Sequence, residues 1–182
     1  MAHAELCRHL LEHSVRIGTF TLKSGRTSTW FIDAKQTACR PEGITAIADA
    51  MLAVLPDDID AIGGLTLGAD PVAYGVAAIA AVRGRPLRSF TIRKEAKDHG
   101  VAGRLAGALL AGDRVAITED CVTRGTSPME AAEVVSQLGA TPALIIPVVD
   151  RGGTVGAMAA ARGIPCRPLV TAPDLGFPYE GA

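Results

Sequence analysis

The sequence predicts an α/β fold with a mostly parallel central sheet flanked by helices. Short apolar runs at Asp60–Gly64, Arg114–Thr118 and Ala143–Val149 alternate with helical stretches at Pro71–Val82 and Pro128–Leu138. Their interiors are continuously apolar, as in strands buried on both faces of a parallel sheet. The 182 residues are 48% hydrophobic and 20% charged, enough for one packed core. Aromatics are only 4%, so Ala, Val, Leu and Ile fill that core and favour close helix–sheet packing.

Each element follows in order. Leu6, Leu10, Leu11, Val15 and Ile17 recur near helical spacing and predict an amphipathic helix over Ala4–Ile17. Phe20–Leu22 and Thr29–Ile32 are short β-like runs around the turn Lys23-Ser24-Gly25-Arg26. Pro41 suits a first helical turn, and that helix should run to about Leu55. The strand Asp60–Gly64 is followed by the loop Leu65–Asp70 and the Ala-rich helix Pro71–Val82. Pro86–Ile92 reads as a strand, and Arg93–Gly112 as polar and glycine-bearing, then partly helical or extended. After Arg114–Thr118, Pro128–Leu138 and Ala143–Val149 come a short helix at Thr154–Ala161 and a last strand at Cys166–Val170. The Pro/Gly-rich tail Thr171–Ala182 reads as irregular. In such folds ligands sit outside the carboxyl ends of the strands, so the loops after Gly64, Thr118 and Val149 are the places to search.

Composition excludes some functions. A formal net charge of −1 argues against a nonspecific nucleic-acid binder. Cys7, Cys39, Cys121 and Cys166 form no CxxC pair, so free thiols in a reducing compartment are expected. Met1–Arg8 does not read as a signal peptide, and no apolar run approaches the roughly 20 residues that span a bilayer. A cytoplasmic protein with no membrane partner is the expectation. His3, His9 and His13 share the first helix without supporting metal ligands and are expected at a surface or interface. Asp57, Asp58 and Asp60 mark a loop before a strand.

Ile117–Ser127 is the most informative segment. An apolar strand ends in Glu119 and Asp120, the small polar loop Thr123-Arg124-Gly125-Thr126-Ser127 follows, and Pro128 opens a helix. Such a loop presents free N–H groups and the positive end of a helix dipole, which suits a phosphate monoester. Gly125 permits close approach of an anion, and Thr123, Thr126 and Ser127 add hydroxyls. Adjacent acids on an extended chain point to opposite sides, one toward ribose hydroxyls and the other toward a metal-bound water or a cation. A rival reading makes Ser127-Pro128-Met129-Glu130 a capping box, which explains Ser127 and Glu130 but neither the paired acids nor the loop. Neither GxxxxGK[ST] nor GxGxxG is present here.

A second constellation is Arg93-Lys-Glu-Ala-Lys-Asp-His-Gly100, in which Arg93, Lys94, Lys97 and His99 gather within seven residues, with Gly100 and Gly103 as hinge points. Taken alone, it is equally a solvated charged loop.

Together these segments resemble the type I phosphoribosyltransferases, and among them the orotate phosphoribosyltransferase family. The strand–Glu–Asp–x–x–Thr–x–Gly–Thr–Ser segment is similar to the phosphoribosyl diphosphate motif of the superfamily. RKEAKDHG at 93–100 resembles the catalytic loop of the orotate enzymes, and Phe20-Thr-Leu-Lys-Ser-Gly-Arg26 resembles their N-terminal segment. Gly63–Pro71 is similar to their diphosphate loop, and Asp150-Arg151 to their base-site pair.

The resemblance implies one phosphoribosyltransferase domain over residues 1–182, with a small N-terminal hood at about 1–35 and a flexible catalytic loop. It implies transfer of phosphoribose from 5-phosphoribosyl 1-diphosphate to orotate, with Mg2+ bound mainly through the diphosphate and no confident direct protein ligand. By similarity Glu119, Asp120, Cys121, Val122, Thr123, Arg124, Gly125, Thr126 and Ser127 hold the ribose phosphate. Arg93, Lys94, Lys97, His99 and Lys23 bind the diphosphate, with Lys97 and His99 as the catalytic pair and Lys97 leading. Thr123, Arg151 and Phe31 contact orotate, and Trp30 either stacks with Phe31 on the pyrimidine or packs under the sheet. A homodimer whose loop covers the neighbouring site is also implied.

Departures are visible. Leu65-Thr-Leu-Gly-Ala-Asp70 lacks the lysine some relatives carry, so backbone N–H groups must substitute there. Arg124 replaces a small residue, and Cys121 an aliphatic. A related transferase using another base, and a non-catalytic nucleotide sensor of the same fold, are the alternatives.

Overall fold

A computed structural model describes residues 3–21, 25, 27–97 and 103–180, with residues 96 and 97 described by backbone alone. The chain opens with helix α1 (Ala4–His13), strands β1 (Val15–Thr21) and β2 (Thr27–Ile32), and helices α2 (Lys35–Ala38) and α3 (Pro41–Leu52). Next come β3 (Ala61–Leu65), α4 (Ala69–Val82), β4 (Arg88–Lys97), β5 (Gly103–Gly107), β6 (Arg114–Ile117), β7 (Cys121–Val122) and α5 (Thr126–Gln137). The last elements are β8 (Thr141–Ile145), β9 (Val149–Asp150), α6 (Val155–Ala160), β10 (Val170–Thr171) and a 3-10 turn at Pro173–Leu175.

The central sheet has the order β5-β4-β3-β6-β8. It is parallel except for β5, which returns antiparallel to β4 at one edge. A second parallel sheet, β10-β9-β7, sits beside it, and β1–β2 form a separate antiparallel hairpin. The α/β, mostly parallel expectation therefore holds.

Strand alternation divides the core between the two faces of the sheet. On β6, Ala116 joins a cluster with Leu6, Leu10, Ile47, Met51, Val72 and Val76 from α1, α3 and α4. Its neighbours Val115 and Ile117 join the opposite cluster with Met129, Val135 and Val155 from α5 and α6. Each fully buried Ile or Val side chain contributes roughly 1.5–3 kcal/mol. Alanines let the helices come close: Gly75 of α4 lies against Ile44 of α3, where a Cβ would collide.

Several boundaries differ from the sequence expectation. The first helix stops at His13, and Val15 and Ile17 form strand β1, paired with Ile32 and Trp30 of β2. These β-branched residues alternate with Arg16, which suits a hairpin better than another helical turn. Helices α4 and α5 start two residues earlier than expected, so Pro71 and Pro128 stand third in each. That is still the first turn, where a missing N–H removes no helical bond. Among the described residues between 93 and 112, Arg93–Lys97 prolong β4 and 103–107 form β5, so of the two readings the extended one is observed. The single strand expected at Ala143–Val149 divides into β8 and β9, and Cys166 contributes only an isolated bridge to Ile145.

His9 is also a correction. It is buried, and its Nδ1 hydrogen-bonds Thr37 Oγ1 at 3.1 Å beside Ser14, so it belongs to a satisfied interior cluster. Among the described residues no helix is long and apolar enough to cross a membrane.

Candidate active site

The carboxyl ends of β3, β6, β7 and β9 converge on one edge, as the parallel topology requires. After β3, the Asp70 carboxylate accepts the Thr66 hydroxyl at 2.7 Å and the Thr91 hydroxyl at 2.9 Å. This loop is thereby anchored to β4, the strand that carries Arg93. Gly68 at its crest lies against the acid pair: a Cβ there would overlap Glu119 Oε1 and Asp120 Oδ1.

That packing corrects the expectation that the two acids diverge. Both carboxyl groups reach the same loop. Strand β6 ends at Ile117, so strand alternation does not extend to 119 and 120, and Asp120 Oδ1 turns back to accept the Cys121 N–H at 2.8 Å. Both acids are buried. Burial, then the charge of Asp120 and a hydrogen bond with it, push Glu119 up to about 9, so it holds a proton at neutral pH. The other oxygen of Asp120 accepts Lys35 Nζ at 2.8 Å, and the same ammonium reaches Asp33 at 3.0 Å. Burial opposes the charge on Lys35, but its hydrogen bonds to Asp120 and Asp33 outweigh that and raise its pKa.

The loop after Asp120 is shaped for an anion. Gly125 is the N-cap of α5 at φ 78°, a left-handed conformation that favours glycine. Its Cα side faces Met158 and Val155, which leaves no room for a side chain. Thr126 and Ser127 form the first turn of α5, where N–H groups have no intrahelical acceptor. Ser127 is thus inside the helix, no side chain caps it, and Glu130 pairs instead with Arg104 of β5. The capping-box reading is therefore removed. Arg124 is exposed, Thr123 is half-buried, and its carbonyl accepts the Thr154 hydroxyl at 3.1 Å. Cys121 is partly buried against the core, and burial raises its thiol pKa. The Val122 carbonyl accepts the N–H of Arg151 at 2.8 Å and of Gly152 at 3.2 Å.

On the β4–β5 arm, Arg93 is half-buried and Lys94 exposed. Arg104 Nε donates to the Arg93 carbonyl at 2.6 Å, tying the two strands together. The side chain of Lys97, and all of His99 and Lys23, lie outside the described residues.

Arg151, Trp30 and Phe31 come together on the other side of the loop. Arg151 is buried with its guanidinium 4.9 Å from the Trp30 ring centroid and 5.9 Å from that of Phe31. Phe31 is 40% exposed and so available to a planar ligand, whereas Trp30 is 0% exposed and stacked on Phe177 at 4.4 Å. Of the two readings of Trp30, interior packing is the one observed. Sequence reasoning missed Lys35, Ser28, Phe177 and Glu180. The carboxylate of Glu180 receives Arg151 Nη2 and the Ser28 hydroxyl. Only the Asp33–Lys35 spacing gave any local sign of this.

A parallel sheet with a buried acid pair and a helix-headed phosphate loop at its carboxyl edge is the architecture of a type I phosphoribosyltransferase. No protein-family model matches the chain. The orotate phosphoribosyltransferase of Corynebacterium glutamicum (strain R) is 38% identical over 177 residues, 97% of this chain and 95% of that protein. The Mycobacterium tuberculosis H37Rv orotate phosphoribosyltransferase in complex with Fe(III) dicitrate superposes with a TM-score of 0.86 at 34% identity, covering 97% of this chain and 100% of that one. The same enzyme in complex with 5-phospho-alpha-D-ribosyl 1-diphosphate gives 0.82 at 30% identity, over 97% and 100%. The chain belongs to the orotate phosphoribosyltransferase family.

Proposed function

We propose that the protein transfers phosphoribose from 5-phosphoribosyl 1-diphosphate to N1 of orotate, giving orotidine 5′-monophosphate and pyrophosphate in de novo UMP synthesis. The observation that carries this reading is the Val122 carbonyl, which accepts the N–H groups of Arg151 and Gly152. It fixes the start of the phosphate loop to the arginine suited to a carboxylate. Phosphate and acceptor are then held at a set distance, as displacement at one carbon requires. The complex of the Mycobacterium relative with the donor supports the same assignment.

In this scheme Thr123–Ser127 hold the 5′-phosphate, and Glu119 and Asp120 meet the ribose hydroxyls. Arg93, Lys94, Lys97, His99 and Lys23 bind the diphosphate, and Arg151 donates to the orotate carboxylate beside the Phe31 ring. The N1 lone pair forms the bond to C1′ while the C1′–O bond breaks and its electrons leave with pyrophosphate. Cations on the arm stabilise that leaving group, with Lys97 leading, and closure of the arm keeps water from C1′. Orotate N1 is acidic enough that no strong base is assigned.

Mg2+ fits this site through the donor. Among the described residues no group of three His, Cys, Asp or Glu side chains is placed to hold a metal. Mg2+ held by the donor's diphosphate would keep several waters, which the acid pair at 119 and 120 could orient. When bound, it neutralises charge on the departing diphosphate. The chain is further proposed to act as one domain with its hood at about 1–35, in a cytoplasmic homodimer whose arms cover neighbouring sites.

The test mixes protein, donor, Mg2+ and orotate and follows the loss of orotate absorbance. Turnover is expected. Turnover with another base but not orotate would overturn the acceptor, and no turnover with any base would favour a nucleotide sensor.

A further inference from the structure

We propose that Glu180 is a positioning residue for the acceptor: it clamps Arg151 by Nη2 and leaves Nε as the donor presented to the carboxylate of orotate. This rests on the assignment of Arg151 to orotate.

The segment after β10 is docked by several independent contacts. Ala172 carbonyl accepts the Phe177 N–H at 3.0 Å, and Arg151 carbonyl accepts the Glu180 N–H at 3.0 Å. Between them the Phe177 ring stacks on Trp30 with planes 11° apart. Tyr179 lies so close to Gly153 that a Cβ there would sit 2.8 Å from its Cγ. Among the described residues, these contacts bring the Glu180 carboxylate to Ser28 Oγ and Arg151 Nη2.

The same nitrogen of Arg151 also donates to the Trp30 carbonyl at 3.0 Å and meets Ser28 Oγ at 3.3 Å. Nη2 thus shares its two N–H groups among three oxygens, and the Trp30 ring lies 4.9 Å from Cζ at the centre of the same rigid planar group. A guanidinium held at one corner has its remaining donors aimed. Arg151 Nε is one of them: it is buried and, among the described residues, has no hydrogen-bond partner. A buried donor without an acceptor is costly, and a ligand oxygen that meets it removes the penalty. The Arg151 and Glu180 side chains are only 6% and 12% exposed, so the pair is screened little by solvent. With its charge already countered by Glu180, Arg151 selects its ligand by the direction of a hydrogen bond more than by free charge. A planar carboxylate fixed to a ring is the chemistry that fits.

The test is steady-state kinetics on the full chain with donor, Mg2+ and orotate, comparing Glu180→Ala, Glu180→Asp, Arg151→Ala and the double variant Glu180→Ala/Arg151→Ala. Glu180→Ala should raise the orotate KM at least tenfold, leave the donor KM within twofold, and be largely rescued by Glu180→Asp. In the Arg151→Ala background, Glu180→Ala should add no further change. Glu180→Gln, which keeps the shape and removes the charge, should raise the orotate KM several-fold and stands in if the alanine variant loosens the fold. An unchanged or lowered orotate KM in these variants overturns the proposal, a lowered value meaning that Glu180 competes for Arg151. An undiminished Glu180 effect without Arg151 overturns it as well. If Arg151→Ala alone leaves the orotate KM unchanged, the assignment of Arg151 itself has failed, and the role of Glu180 with it.

Discussion

Lys35 Nζ lies 2.8 Å from Asp120 Oδ2, joining the short helix behind the hairpin to the acid pair across 85 positions of sequence. The ammonium is what allows two carboxyl groups to share one buried place: Glu119 keeps a proton, and Asp120 faces a cation. Lys35→Met should therefore disturb both acids. The Lys35 side chain is 39% exposed, so the stability lost is modest, about 1 kcal/mol. For a chain of this size that lowers Tm by roughly 2–4 °C. The kcat/KM for the donor should fall about tenfold, equivalent to about 1.4 kcal/mol, as Asp120 loses its aim. A thermal melt and donor titration check the two effects separately.

Glu119 makes stability depend on pH in a direction opposite to that of a salt-bridged acid. Its pKa rises from an ordinary 4.5 to about 9 on folding. Between those values the native state holds a proton that the unfolded state has lost, so stability declines as pH rises. Glu119→Gln removes this slope. The Tm of the variant minus that of the native protein should grow from pH 5 to pH 9, reaching at least about 3 °C, the shift roughly 1 kcal/mol produces. Melts at several pH values check it, and a constant difference would contradict it.

Asp113 provides the contrasting case. It is buried and receives both Arg88 nitrogens, at 2.9 and 2.7 Å, and the Leu110 N–H at 2.8 Å. Burial alone would raise its pKa, but these hydrogen bonds outweigh it and hold the carboxyl below its usual range. Its contribution is present above the ordinary carboxylate pKa and is lost as pH falls through the depressed native value. Asp113→Asn should cost about 2 kcal/mol at pH 7, with the gap narrowing as pH falls through and below the ordinary carboxylate range. Denaturant melts at pH 7 and pH 3 measure both ends.

Much of this was readable beforehand because it is local. The run Arg114–Ile117 and the loop Thr123–Ser127 declare a strand and the head of a helix through neighbouring residues, and the strand forms where expected and the helix within two residues of it. What was not readable depends on the third dimension. Glu119 and Asp120 converge because the strand stops before them, and a sequence does not mark where pleating ends. Lys35 looks like any exposed lysine until folding sets it on Asp120. Glu180 lies in a Pro/Gly-rich stretch without periodicity, and its meaning comes only from Arg151 and Ser28.

Gly68 is the position at which the smallest change should have the largest catalytic effect. A methyl group there would overlap both acids and push the loop off the Asp70 anchor. Gly68→Ala should raise the donor KM at least tenfold while leaving orotate affinity within about threefold. Kinetics with each substrate varied in turn distinguish this from general loss of folded protein, which would lower kcat alone.

The bond from Ser28 to Glu180 spans 152 positions, and that from Arg151 to the Trp30 carbonyl spans 121. The loop at 123–127 closes over a shorter span: Gly125 packs on Val155 and Met158, and the Thr123 carbonyl accepts the Thr154 hydroxyl. A ribosome delivers the chain from its amino end, so these halves mature at different times. A nascent chain can close that loop once α6 has formed, while the clamp on Arg151 is still to emerge. The clamp is therefore the last of these contacts the polypeptide acquires. It is also the first that a nick between 172 and 177 would take away.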